Sequence, residues 1–131
     1  NLALGISSDI PGPILLNGTM HSGVVIAVFD KLSRVSLTDI DIIVTTIAHE
    51  SAHFLGLFHT SEESGTLHDN VGDTPECTLE EDIDQDGKIS YSHCFNHGNE
   101  NLMFPFIEAA GRNRKLTGEQ GKIMNLNPGV Y

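Results

Sequence analysis

His49, Glu50, His53, Gly56 and His59 form the pattern H-E-x-x-H-x-x-G-x-x-H. His49 and His53 are four positions apart, so on a helix their imidazoles stand one turn apart on a single face. That spacing lets both rings reach one ion at about 2.0–2.1 Å. Gly56 lets the chain leave the helix and turn, which returns His59 as a third ligand. Three protein ligands leave the fourth tetrahedral position open to water, as in a catalytic zinc site. Glu50 adjoins His49 and is poorly placed to be a fourth ligand. It is placed to take a proton from the zinc-bound water, whose pKa the metal lowers towards about 7, and to pass it to a leaving amine. The chemistry expected is hydrolysis of a peptide bond. The alternatives are a zinc site without catalysis, or three structural or surface histidines.

A second constellation lies further along. Asp82, Asp84, Asp86, Gly87, Lys88 and Ser90 follow D-x-D-x-D-G-x-I-S. Alternating carboxylates of this kind can converge on one hard cation while the glycine makes the turn. Lys88 would offer its carbonyl, and Ser90 a hydroxyl or a bridging water. The twelfth position, where a bidentate Glu is expected, holds His93, and no helices clearly flank the loop. The reading is a calcium-stabilised loop, against the alternative of a solvated acidic turn. Cys77 and Cys94 bracket it. A disulfide there would contribute about 3 kcal/mol by the chain-entropy argument; free thiols or further zinc ligands are the alternative. His21, His68, His93 and His97 read as surface or loop residues.

Several elements must position these groups. Residues 2–6 read as a short strand, and residues 21–29, rich in Val and Ile, as a buried strand. Ser36 is placed as an N-cap, with Asp39 and Asp41 in the first turn. Ile40, Ile43, Val44, Ile47 and Ala48 then recur at helical spacing, which predicts a stripe facing the core. Residues 60–94 are polar, contain no convincing long periodic element, and need a metal site or a disulfide to hold them. Thr117 with Gln120 forms a capping box for a second helix, continued by Lys122, Ile123 and Met124 and ended by Asn127, Pro128 and Gly129.

With these motifs in place, the chain resembles the metzincin metallopeptidases. The methionine that follows the zinc motif in that clan, in a tight turn, matches Met103 within Asn101-Leu102-Met103-Phe104-Pro105. The resemblance implies that Met103 forms an apolar floor beneath the zinc histidines. His59-Thr60, then Gly72-Asp73-Thr74-Pro75 close to Cys77, is similar to the pappalysin group, which implies calcium near that stretch and makes Asp69 and Asp73 weaker candidates. Two departures stand out. Pro105 occupies the position where some metzincins carry a tyrosine. Only about 35 residues precede the helix, leaving room for about two strands where metzincins usually place several strands and a backing helix.

The chain of 131 residues fits one domain, and an apolar fraction of 39% suits a folded one. A formal net charge of -11 repels nucleic acid and anionic lipid at long range. No apolar run approaches the roughly 20 residues that cross a bilayer, and no signal peptide or initiator Met is seen. A disulfide would place the protein in an oxidising compartment, outside the cell or in a periplasm. The expectation is a single α+β zincin-like domain that lacks the usual N-terminal strands and backing helix. A small mixed sheet, partly antiparallel, packs on the active-site helix together with a Met-turn and a C-terminal helix, and residues 21–29 form the edge strand over the zinc cleft. Its function is that of a zinc endopeptidase acting on a protein or peptide substrate, with calcium as a second cofactor. The alternative is a non-catalytic module that binds a peptide or partner on the same fold. Residues after Met103, among them Phe106, Ile107, Glu108, Arg112 and Arg114, are expected to line the substrate pocket.

Overall fold

A computed structural model describes residues 4–16, 19, 21–27, 36–108 and 114–130. The chain is a small α+β protein with a two-stranded antiparallel sheet and two helices. Strand β1 spans Gly5–Ser7 and β2 spans Val24–Ile26, with Gly5 opposite Ile26, Ile6 opposite Val25 and Ser7 opposite Val24. Alternation along the strands exposes Ile6 and Val25 and turns Gly5, Ser7, Val24 and Ile26 to the more covered face. Both strands pack on the long helix. They are shorter than the sequence suggests; residues 2, 3, 28 and 29 lie outside the described residues.

Helix α1 spans Leu37–Phe54. Ser36 caps it reciprocally: its hydroxyl accepts from the Asp39 N–H, and the Asp39 carboxylate accepts from the Ser36 N–H. At the other end Gly56 takes a φ of +110°. The Gly56 N–H donates to the His53 carbonyl and the Leu57 N–H to the Ala52 carbonyl, which closes the helix in a Schellman motif. Leu57 then packs on Ala52.

The buried face of α1 differs from the expected one. Ile40, Val44 and Ile47 are 46%, 58% and 44% exposed, whereas Thr45, Thr46, His49, Glu50, Ala52 and His53 are buried. At 100° per residue the second set lies opposite the first. The segments that receive the histidine rings lie on that second side, so the polar, chemistry-bearing face points inward.

Two apolar clusters hold the rest. Ala52, Leu57, Leu102 and Met103 form one, with Ile123 and Met124 of helix α2 (Gly118–Leu126) against it. Thr117 and Gln120 make the expected capping box of α2. Cys77, Ile89, Cys94 and Phe104 form the other, with Tyr91 and Phe106. The second cluster is built on the Cys77–Cys94 pair, with Phe104 and Phe106 supplied from outside the 60–94 segment. A short 3₁₀ turn, Leu79–Glu81, and a bridge between Ser61 and His68 add local order. No helix among the described residues is long and apolar enough to cross a membrane.

Cys77 and Cys94 form a disulfide with a Cα–Cα distance of 5.6 Å, and both are fully buried. We expect the Cys77→Ala/Cys94→Ala variant to lose about 3 kcal/mol of unfolding free energy, as suits a separation of 17 residues. Urea denaturation checks this; an unchanged midpoint would mean that the apolar cluster alone orders the segment.

Candidate metal centre

His49 and His53 project from the last turns of α1, and the turn at Gly56 brings His59 back to them. The three rings lie with centroids 4.6, 4.7 and 5.2 Å apart. One ligand atom from each falls within 4.8 Å of the others, a grouping that can hold a metal ion.

The hydrogen bonds define which nitrogens face the centre. His49 Nδ1–H donates to the Leu102 carbonyl at 2.6 Å, and His53 Nδ1–H to the Leu57 carbonyl at 2.7 Å. A carbonyl only accepts, so both rings carry the proton on Nδ1. His59 Nδ1 lies 3.1 Å from Glu62 Oε1, which accepts in the same way. Each Nε2 is then an unprotonated lone pair. His49 Nε2 and His59 Nε2 lie 3.2 Å apart. Two facing lone pairs at that distance repel unless a cation lies between them. Ligands at about 2.0–2.1 Å from a tetrahedral zinc are about 3.3–3.4 Å apart, so the residues fit the metal.

Charge agrees with this. Burial lowers the pKa of His49 to about 3 and that of His59 to about 4, and it lowers that of His53 too. The rings are neutral at pH 7, the form that binds a metal.

Glu50 is 8% exposed. Burial raises its carboxyl pKa, and a hydrogen bond from the Ser7 backbone opposes that rise. Its neighbour Gly5 was not singled out in the sequence. A Cβ at Gly5 would sit 2.6 Å from Glu50 Cγ and 2.9 Å from Thr46 Cγ2, so only glycine lets β1 lie this close. The only signal in the sequence is a glycine in a short strand.

A cleft of about 580 Å³ opens over the rings. Leu4 and Gly5 form one wall and Pro105, Phe106 and Ile107 another, with His49, Glu50, His59, Glu62 and Glu63 also lining it. Among the described residues the strand on the cleft is therefore β1, and β2 of the expected 21–29 edge strand pairs behind it, residues 28 and 29 lying outside the described residues. Of the residues expected to line the pocket, Phe106 and Ile107 do so. Phe104 is buried in the second cluster instead, Arg114 pairs with Asp41 at 3.3 Å, and Arg112 lies outside the described residues.

Met103 is fully buried beside Ala52 and Leu57. Its turn holds both arms of the centre: the Leu102 carbonyl takes the His49 proton, and the Met103 carbonyl accepts the Thr60 N–H, next to His59, at 3.1 Å. The turn is itself pinned. Asn101 Oδ1 accepts the Met103 N–H, while the buried amides of Asn101 and Gln120 bond reciprocally. The sequence marks Gln120 only as a capping residue; here its one side chain caps α2 and anchors the turn.

The acidic loop is arranged differently from its sequence pattern. Asp82, Asp84 and His93 converge, whereas Asp86 is spent on the loop backbone, accepting the Lys88 N–H at 2.9 Å. The Lys88 ammonium pairs with Glu63, and the Ser90 hydroxyl bonds that of Ser92. His93, read from sequence as a bystander, belongs to the group. Asp82 Oδ1 and His93 Nδ1 are buried with no hydrogen-bond partner. Asp69 accepts from the Val71 N–H and the Thr74 hydroxyl, and Asp73 from the Glu119 N–H at the start of α2.

Replacing Gln120 by Met keeps the volume but leaves the buried Asn101 amide and the Thr117 N–H without their partner. We expect a loss of about 1–3 kcal/mol, measured by thermal or urea unfolding of the metal-free protein. A change within error would show that the amide pair does not hold the turn. No family model, curated protein or solved structure matches this chain.

Proposed function

We propose that this chain is a zinc endopeptidase of the metzincin type. The observation that carries the reading is the convergence of three Nε2 lone pairs, with a buried carboxylate beside them, on the floor of an open cleft. Imidazole donors suit several transition metals; three neutral histidines with an open position suit catalytic zinc.

His49, His53 and His59 would hold zinc, which when bound would supply a Lewis acid for the scissile carbonyl and lower the pKa of a water towards about 7. The residues of the chain do the rest. Glu50 accepts a proton on its carboxylate and returns it to the leaving amine. Strand β1 has no second strand partner among the described residues, so an extended peptide can bond to its cleft-side edge. Phe106 and Ile107 on the facing wall favour an apolar side chain. Met103, buried with the segments that carry the ligands, supplies the apolar floor that the metzincin resemblance implies.

Glu50→Ala is expected to abolish cleavage of casein or of a quenched peptide library while leaving zinc bound at the wild-type stoichiometry. Undiminished cleavage by that variant would eliminate the mechanism. Absence of cleavage by the zinc-loaded wild type would favour a binding module.

The second part of the reading is a divalent cation in the 82–93 loop, supported by the convergence of Asp82, Asp84 and His93, whose Nε2 lies 3.7 Å from Asp84 Oδ1, and by the buried Asp82 Oδ1 without a partner. The D-x-D-x-D-G spacing points to calcium, while the His93 ring adds a donor more usual for zinc. Binding only to the folded state raises stability by about 2.7 kcal/mol at a concentration 100 times Kd. With the histidine centre already saturated with zinc, calcium is expected to raise the melting temperature, and Asp84→Ala to weaken the response. A response to excess zinc instead would reassign the ion, and coincident melts in all conditions would leave the loop a solvated acidic turn.

A further inference from the structure

The three histidines are not held alike. His49 and His53 sit on α1 and are 4% and 6% exposed, and each Nδ1–H ends on a main-chain carbonyl. His59 lies beyond the helix, in irregular chain, and its side chain is 26% exposed. Helix geometry does not fix its ring, and its Nδ1 partner is a side chain, the Glu62 carboxylate at 3.1 Å. A half-turn of the ring about Cβ–Cγ would exchange Nε2 with Cε1, put a C–H where the lone pair stands and break the ligand set, so whatever accepts the Nδ1 proton decides whether the third ligand is available.

Glu62 is placed for this by its own backbone. The Glu62 N–H donates to the Leu67 carbonyl and its carbonyl accepts the Gly65 N–H, both at 2.8 Å. Next to it the Ser61 hydroxyl accepts the N–H of Cys77, a disulfide residue, at 2.9 Å. On the other side the Ile89 N–H reaches the Glu63 carbonyl at 2.9 Å. The 61–68 segment is therefore tied to the disulfide cluster. Glu63 lines the same cleft, but its carboxylate is engaged by Lys88 at 2.8 Å, which leaves Glu62 as the acceptor for His59.

We propose that Glu62 is the positioning residue of the metal centre: its carboxylate accepts the His59 Nδ1 proton, orients Nε2 towards the ion and makes that nitrogen a better donor. This rests on the histidine metal centre and not on peptidase activity. A carboxylate behind a ligating histidine generally contributes 10–100-fold in metal affinity.

The test measures zinc affinity of the full chain by competition with a chromophoric chelator, together with the visible spectrum of the cobalt(II)-loaded protein. Glu62→Ala is expected to bind zinc about 10–100-fold more weakly and to lose intensity in the tetrahedral cobalt bands. Glu62→Gln keeps an acceptor without the charge and is expected to fall between wild type and Glu62→Ala. Glu63→Gln, in the same cleft, is expected to match wild type. Melts of the metal-free variants identify any failure to fold; if Glu62→Ala fails, the comparison rests on Glu62→Gln, where wild-type affinity with an unchanged cobalt spectrum overturns the proposal. Wild-type affinity in Glu62→Ala, or Glu62→Gln no better than Glu62→Ala, overturns it also. A wild type that takes up neither zinc nor cobalt removes the metal centre itself, and this proposal with it.

Discussion

Two imidazole nitrogens facing each other at 3.2 Å, each with its lone pair inward, is the constraint around which this structure is arranged. Without a cation such a contact is repulsive, and a shared proton would relieve it. Burial opposes protonation and so keeps the rings neutral. The same burial that disfavours a proton leaves the three Nε2 atoms available to a metal. The inward polar face of α1 follows from this, as does the exposure of Ile40, Val44 and Ile47 on its far side.

Keeping the lone pairs inward requires acceptors behind the rings, and the irregular parts of the chain supply them. The Leu57 carbonyl becomes available because Gly56 ends the helix and turns the chain. The Leu102 carbonyl is presented by a turn that the buried Asn101–Gln120 amide pair holds against α2. The Glu62 carboxylate comes from a segment bonded to the disulfide cluster. Leu57 and Leu102 belong to one apolar cluster, and Glu62 to a segment tied to the other. The long polar loop and the short C-terminal helix therefore bear directly on the metal centre, although neither contributes a ligand to it.

The cleft has the same economy. Gly5 admits β1 against Glu50 where any side chain would collide. The chain that leaves the Met103 turn provides the opposite wall through Pro105, Phe106 and Ile107. Glu50, His49, His59 and both walls thus line one small opening, with the carboxylate of Glu50 shielded enough to hold its proton more tightly than a free side chain does.

Much of the local structure was legible in the residues alone. The histidine trio follows from i, i+4 spacing and a glycine turn, the helix starts from the Ser36 N-cap and the Thr117–Gln120 capping box, and the Cys77–Cys94 bond from cysteines that bracket a loop. All of these depend on near neighbours or on chemistry that few residue types can perform. Tertiary structure alone decided which face of α1 points inward, which strand borders the cleft, and that His93 rather than Asp86 joins Asp82 and Asp84. It also decided what stands behind each ring. His49 and its acceptor are 53 positions apart, and that acceptor is a main-chain carbonyl, a group every residue carries and no sequence pattern marks.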